Sequence, residues 1–319
     1  MKIKRITIYF TIFIGCLLSF LSNLSGFAKE EHDNFIILTG ENDVLGWTKY
    51  GQDPNTSTDG FMTHGTSLKL YLKNSYMFEI FQQIYTPETK DFPKPLPGDR
   101  SYAGWLGINV NKFFIEENHV DTFCLGLGTI GPNAFADDVQ TSFHKWINCS
   151  PPVGWDSQLN NEPTFQFGYN RTYSHYAYDW LEYRPGTGIN LGNALIDVEI
   201  DNTIRFGYNL PQKTPLLINS HFSQIDIPTK QPRSKFSIFG FISCKVKAVV
   251  RDIFLDGNTF NRDGNITVDK ENFVADGILG IGLCFYNINI NFNHIERTRE
   301  FQTQTRDERF DGLSIGCYF

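Results

Sequence analysis

Apolar and polar residues alternate with a period of two in segment after segment of this chain. Leu68, Leu70 and Leu72 fall on one face, with Ser67, Lys69, Tyr71 and Lys73 on the other. Phe123, Leu125 and Leu127 alternate with Cys124, Gly126 and Gly128. Ile242, Cys244, Val246, Ala248 and Val250 alternate with Lys245, Lys247 and Arg251, and Leu279, Ile281, Leu283 and Phe285 oppose Gly280, Gly282 and Cys284. A period of two marks β-strands. Apolar residues set against small or charged ones fit an antiparallel transmembrane β-barrel, apolar outside and polar inside. A β-sandwich alternates as well, so the period needs support from elsewhere.

The pattern predicts strands at about 35–45, 60–73, 75–86, 102–115, 119–130, 162–172, 175–198, 202–210, 236–256, 270–284, 286–302 and 308–319. That is an all-β chain of about twelve strands, an even number that returns both termini to the periplasmic side. A break at Pro185-Gly186 would raise the count to fourteen and move residues 211–234 to the outside. Short connections (116–118, 285–286) alternate with long ones (46–59, 87–101, 131–161), as periplasmic turns alternate with outer loops. The last strand puts Leu313, Ile315, Cys317 and Phe319 on one face and stops at the aromatic Phe319, an ending similar to that of outer-membrane barrels in general. Gly312-Leu313-Ser314-Ile315-Gly316 matches the G-x-S-x-G string of serine hydrolases, but that motif needs a strand-to-helix elbow. Inside a strand, Ser314 is expected to face the lumen among small residues.

Composition decides between barrel and sandwich. Beyond residue 28 no apolar run approaches the roughly twenty residues of a membrane helix. The mean hydropathy of −0.28 is compatible with a barrel, because only alternate residues face lipid. The chain is 15% aromatic, as interfacial girdles require. Lys2, Lys4 and Arg5, the apolar run 6–20, and Gly26 and Ala28 before Lys29 make residues 1–28 a secretory signal peptide, leaving 29–319 as the barrel domain. Cleavage removes three basic residues and no acidic one, so the mature chain is more acidic than the formal −7 of the full sequence. Nucleic acid is therefore excluded as a partner. Cys124, Cys149, Cys244, Cys284 and Cys317 remain; they are odd in number and lack CxxC spacing, which reads as isolated small hydrophobes with at most one bridge.

Candidate chemistry gathers at the outer rim. Asn42 and Asp43 end the first strand, and Thr63 and Gly65 begin the strand returning beside it. Residues 137–147 (DDVQTSFHKWI) predict a short helix on the extracellular loop 131–161, with Gln140 and His144 four apart on one face. Asp and Asn oxygens suit calcium, and a histidine suits a general base. The same residues admit a plainer reading, since Asn-Asp commonly ends strands as turn chemistry. Asp256 to Asn265 lacks the order of an EF-hand loop and reads as an outer-loop turn.

Longer motifs carry a resemblance. Glu41-Asn42-Asp43, Asp59 with Thr63-His64-Gly65, Gln83 to Pro87 followed by Asp99 to Trp105, Ile130-Gly131-Pro132 with Gln140 and His144, Gly154 to Leu159 with Asn161-Glu162-Pro163, Gly192-Asn193 and Phe254 to Asn258 occur in that order. Together they resemble the lipid A 3′-O-deacylase family of outer-membrane proteins across nearly the whole mature chain. The resemblance implies a twelve-stranded barrel whose site lies between the wall and an outer-loop helix, using calcium and a histidine base. Asn42, Asp43, Thr63, Gln140 and His144 fall on the family's site positions, with Asn42 and Asp43 as the expected calcium ligands. Arg100, in a matching stretch, is the expected substrate-binding cation. The expected substrate is an ester-linked acyl chain, the 3′-O-linked one, of lipid A in the outer leaflet, and a monomer is expected. His64 stands where the family has Asn; strict alternation sends it to the face opposite Thr63, away from the site. An outer-membrane phospholipase would carry Ser-Asn-Gly closely after its histidine, which neither His64-Gly65-Thr66 nor His144-Lys145-Trp146 does. A non-catalytic porin is the rival of another class.

Overall fold

The computed structural model describes residues 34–43, 60–73, 75–211 and 236–319. The signal-peptide assignment, the connection 46–59 and most of the segment 211–234 lie outside these residues. Thirteen strands form one antiparallel sheet: β1 (Phe35–Asn42), β2 (Phe61–Leu72), β3 (Tyr76–Thr86), β4 (Ala103–Ile115), β5 (His119–Ile130), β6 (Glu162–Tyr173), β7 (His175–Tyr178), β8 (Leu181–Gly192), β9 (Leu195–Tyr208), β10 (Phe236–Asp252), β11 (Phe273–Phe285), β12 (Ile288–Arg297) and β13 (Glu308–Tyr318). Neighbours in sequence pair, β1 pairs β13, and β6 pairs β8, so twelve strands close a ring to which β7 adds a short flap. Closure leaves no unpaired edge to face hydrocarbon.

The expected count of twelve holds, but the expected boundaries between 175 and 210 do not. No break occurs at 199–201; the turn lies at Asn193-Ala194, and β9 runs straight through Glu199 and Asp201. Those carboxylates point into the barrel, where Glu199 meets Lys245 at 3.4 Å. Pro185-Gly186 does not split β8 either. β8 pairs β6 up to Gly186 and β7 from Tyr183. Pro185 falls in the gap, where its missing N–H costs no ladder bond.

Lumen-facing positions hold two kinds of contact. One is a set of buried ion pairs: Lys69–Glu79 at 3.3 Å, Arg205–Glu182 at 2.8 Å and Arg297–Asp276 at 2.7 Å. The other is aromatic packing. Near the chain termini Phe35, Tyr71, Met77, Phe113 and Tyr318 cluster, and Phe35 lies over Gly316, where a side chain would collide with it. Ser314 faces the same interior, inside β13, as expected. At the opposite end, called here the loop end, the short helix α2 (Ile253–Asp256) turns Phe254 into the lumen. Phe254 stacks on Tyr85 at 4.2 Å and tilts against Trp105 at 5.8 Å.

Outward positions are exposed and apolar, among them Ile80, Ile108, Leu125, Leu127, Ile242 and Leu279. Tyr76, Phe114, Phe123, Phe236 and Phe285 form an aromatic girdle toward the terminus end. The five described cysteines form no disulfide with one another. Arg297 touches Asp276, Glu300 and Glu308; Glu300 also has Arg100, so Arg297→Ala takes the arginine from three buried carboxylates and leaves Asp276 and Glu308 without one among the described residues. Such a loss costs about 3–5 kcal/mol, and the temperature at which the folded gel band converts to the unfolded one is expected to drop.

Candidate active site

The loop between β5 and β6 leaves the barrel at Gly131, whose φ of 92° only glycine adopts without strain. A 3-10 turn (Pro132–Ala134) follows, then the expected helix, α1 (Ala136–Trp146). Asp137 and Asp138 lie in its first turn and Lys145, after His144, in its last, each charge where the helix dipole favours it. The helix packs against the outside of the barrel wall. Gln82 on the outer face of β3 donates to the Ala134 carbonyl at 2.6 Å. Ile84, also on that face, is buried with Ala136, Tyr102 and Trp155. Gly104 in β4 makes the approach possible, because a Cβ there would overlap Ala136.

On the helix face turned to the wall, Gln140 is 4% and His144 is 3% exposed. The loop's return stretch orients both. Trp155 donates its indole N–H to Gln140 Oε1 at 3.0 Å, which leaves the buried Gln140 Nε2 with no hydrogen-bond partner among the described residues. His144 Nδ1 lies 2.7 Å from the Ser150 carbonyl. A carbonyl only accepts, so Nδ1 carries the proton and Nε2 of the neutral ring is left as the basic nitrogen. The return stretch is itself fastened. Leu159 N–H donates to Tyr102 O, and Asn160 and Asn258 exchange two 2.9 Å bonds that tie this loop to the one after α2.

The strand residues occupy the same outer wall. Asn42 pairs across the ladder with His64 and Asp311. A β-bulge between Met62 and His64 inserts Thr63. Met62 points inward, against Tyr85 and its neighbours. Thr63 Oγ1 reaches Thr86 Oγ1 at 2.6 Å, while His64 lies 3.4 Å from Asn42 Nδ2 and 2.6 Å from Thr66 Oγ1. The expectation that His64 points away from Thr63 is therefore corrected: the extra residue breaks the alternation, and both side chains sit on the outer face. Asp43 accepts from the Gly60 N–H at 3.0 Å. Thr86 and Ile84 connect the two groups, since one carries Thr63 and the other packs under α1.

Arg100 is placed elsewhere. It is fully buried at the loop-end mouth of the lumen, paired with Glu300 at 2.9 Å and lying 4.6 Å over the Tyr85 ring. Beside it, burial pushes the Asp99 carboxyl above its usual range, against the backbone N–H groups of Arg100 and Glu88. Two residues on the wall escaped sequence reasoning. His294 Nδ1 donates to Asp311 Oδ1 at 2.7 Å, and Asp311, next to Asn42 in the ladder, is only 1% exposed. His294, Asp311, Asn42 and His64 thus form a polar row across β12, β13, β1 and β2. Among the described residues no group of three or more His, Cys, Asp or Glu side chains could hold a metal ion.

Residues 12–319 match the family model described as "Outer membrane protein LpxR". The chain belongs to this family. Among solved structures it is similar to LpxR from Salmonella typhimurium, with a TM-score of 0.75 and 19% identity over 89% of this chain and 100% of that one. Lower similarities are to the NanC porin (TM-score 0.40, 10% identity, 89% and 98% coverage) and to the β domain of the Bordetella autotransporter BrkA (0.41, 6%, 91% and 99%). No curated protein sequence matches. The LpxR-family barrel is an integral outer-membrane protein, and several of the motifs that carry the resemblance serve to hold α1. Gly104, Trp155 and Asn258 act on the helix or its loop, and Glu162 receives Asn193 Nδ2 and Phe260 N–H at 3.0 Å each. Gly104→Val is expected to push α1 off the wall while the barrel stays folded. Limited proteolysis should then cut 131–161 faster with no change in heat-modifiability; an unaltered cleavage rate would contradict the packing described.

Proposed function

We propose that this barrel is a lipid A deacylase of the outer membrane, hydrolysing an ester-linked acyl chain, the 3′-O-linked one, with His144 as general base. The observation that carries the reading is the buried pair Gln140 and His144, held on the helix face turned to a lipid-facing wall. A soluble substrate has no reason to be met there; a lipid has. With the loop end outside, as the family reading implies, the crevice lies at the level of the outer leaflet, where lipid A resides.

The chain's own residues perform the following steps. His144 Nε2 takes a proton from water, and the resulting hydroxide attacks the ester carbonyl carbon. Gln140 Nε2–H is placed to donate to the carbonyl oxygen as charge builds on it. When the carbon–oxygen ester bond breaks, His144 Nε2–H returns its proton to the sugar oxygen. The products are a fatty acid and a free hydroxyl. Ser150 keeps the ring in the required tautomer throughout, and Thr63 supports the wall opposite. Calcium fits the strand residues by donor chemistry: Asp43 offers a carboxylate and Asn42 an amide oxygen, and hard cations take six to eight such ligands, neutral oxygens and water included. Asn42 and Asp43 would hold the ion, which when bound would stabilise negative charge on the substrate's carbonyl oxygen. The molecule would act as a monomer, since one chain closes the ring.

The porin reading is disfavoured by one observation: Phe254, Tyr85 and Trp105 fill the loop-end lumen and a second aromatic cluster fills the terminus end. In planar bilayers the purified barrel is expected to give no stable open conductance.

The direct test is mass spectrometry of lipid A from cells with and without the protein. Loss of one ester-linked acyl chain is expected; an unchanged acyl pattern would remove the deacylase reading. His144→Ala should slow turnover by about 10²–10⁴-fold with the gel mobility of the folded barrel retained. Asp43→Ala and excess chelator should each abolish activity, and full activity after chelation would remove the calcium role. His64→Ala is expected to lose more than a few-fold in rate, because the His64 ring contacts Asn42.

A further inference from the structure

The C-terminal half of α1 and the loop after it expose a run of large apolar side chains. Trp146 is 75% exposed, and Phe143, Ile147 and the following Val153 are exposed too. Phe143 and Trp146, three residues apart on one stripe, pack with tilted rings at 5.8 Å. At 100° per residue, Ile147 lies about 40° and Phe143 about 80° from the mean direction of Gln140 and His144, and Trp146 lies about 140° away on the same side, while Lys145 and Asp138 lie about 120–140° away on the other. The exposed stripe thus begins at the margin of the face that buries the site, with Ile147 and Phe143, and runs round to Trp146 on the outer side of the helix.

The barrel wall beneath explains what meets that margin. On β3, outward residues run from Phe78 and Ile80, both exposed in the lipid belt, through Gln82 to Ile84 under the helix. On β4, Ile108 is exposed and Gly104 is covered. The apolar belt therefore reaches α1 with one interruption, Gln82, whose amide N–H is used by the Ala134 carbonyl. The aromatic rim agrees. At the loop end, Phe165 in β6 and Phe273 in β11 are exposed, whereas β2, β3 and β4 present Thr63, His64, Thr86 and Gly104 there. The helix α1, packed on β3 and β4, brings Phe143 and Trp146 to a part of the rim that otherwise lacks aromatic rings among the described residues.

We infer that Phe143, Trp146, Ile147 and Val153 form a surface that inserts among the acyl chains of the outer leaflet, and that an acyl chain reaches His144 laterally along it. The first half stands on the geometry alone; the second rests on the deacylase reading. A polar rim alone would require a lipid to leave the leaflet before its ester could reach the wall. With this surface, the chain stays in hydrocarbon while its ester moves to the crevice.

The test uses the mature barrel reconstituted in phosphatidylcholine vesicles with bromine on the acyl chains, compared with unbrominated vesicles. The protein has five tryptophans, of which Trp105 and Trp155 are buried, so parent and Trp146→Phe are compared. Brominated chains are expected to quench the parent more than Trp146→Phe, and aqueous iodide is expected to quench both equally. Equal quenching by bromine, or iodide quenching that disappears in the variant, would place Trp146 in water and overturn the insertion. In a second arm, Phe143→Ser with Ile147→Ser should raise KM for lipid A in vesicles by about tenfold with kcat within twofold. A fall in kcat at constant KM would indicate a displaced helix and overturn the lateral path. If bromine quenches Trp146 but the parent never deacylates lipid A, the insertion stands and the deacylase reading falls.

Discussion

Sheet closure is the constraint from which everything else in this molecule follows. In hydrocarbon an unpaired backbone N–H or C=O costs several kcal/mol, so β1 must find β13 and β6 must find β8. Once the ring is closed, each strand has one face toward lipid and one toward a narrow lumen. The lumen is then a dry interior like any protein core, and the charges placed there need partners. Lys69, Lys245, Arg205 and Arg297 have them. Removing an isolated partner is far more costly than the pair is beneficial, so the interior is held as a set.

A filled interior leaves only the outside of the wall for chemistry. That is an unusual place for buried polar side chains, and the protein builds a second, local core there. Loop 131–161 folds back on the wall, Ala136 sits on Gly104, and Trp155, Tyr102 and Ile84 close around the helix. Two polar side chains, Gln140 and His144, are buried in that small core and are the groups the proposed reaction uses. Their orientation is inherited from Trp155 and Ser150, which belong to the return stretch. Rigid supports of this kind are what hold a catalytic geometry on a loop.

Most of the fold is legible in the sequence because lipid and lumen impose opposite polarity on successive residues. Leu125 and Leu127 outside, Cys124 and Gly126 inside, is a direct record of the environment. The reading fails where that record is ambiguous. Glu199 and Asp201 are polar on the lumen side of β9, yet in sequence they look like a break between strands. The helix and its His144 are visible from four-residue spacing, but the Trp155 bond to Gln140 is not, since nothing local joins the two. The row His294–Asp311–Asn42–His64 depends on the β1–β13 seam, which unites residues from opposite ends of the chain. No window of sequence contains it.

The bulge at Thr63 has a consequence for how distant relatives are compared. One inserted residue shifts the phase of β2, so the stretch from Phe61 to Met62 is out of step with the stretch from His64 onward. A relative that kept the same residue types but lost the insertion would turn its rim hydroxyl and its neighbour to opposite sides of the wall. Alignment columns there equate letters, whereas the membrane distinguishes directions. Equivalence between members of this family at the rim is therefore a matter of which side chain faces the leaflet, and homologous columns can hold residues that never meet the same solvent.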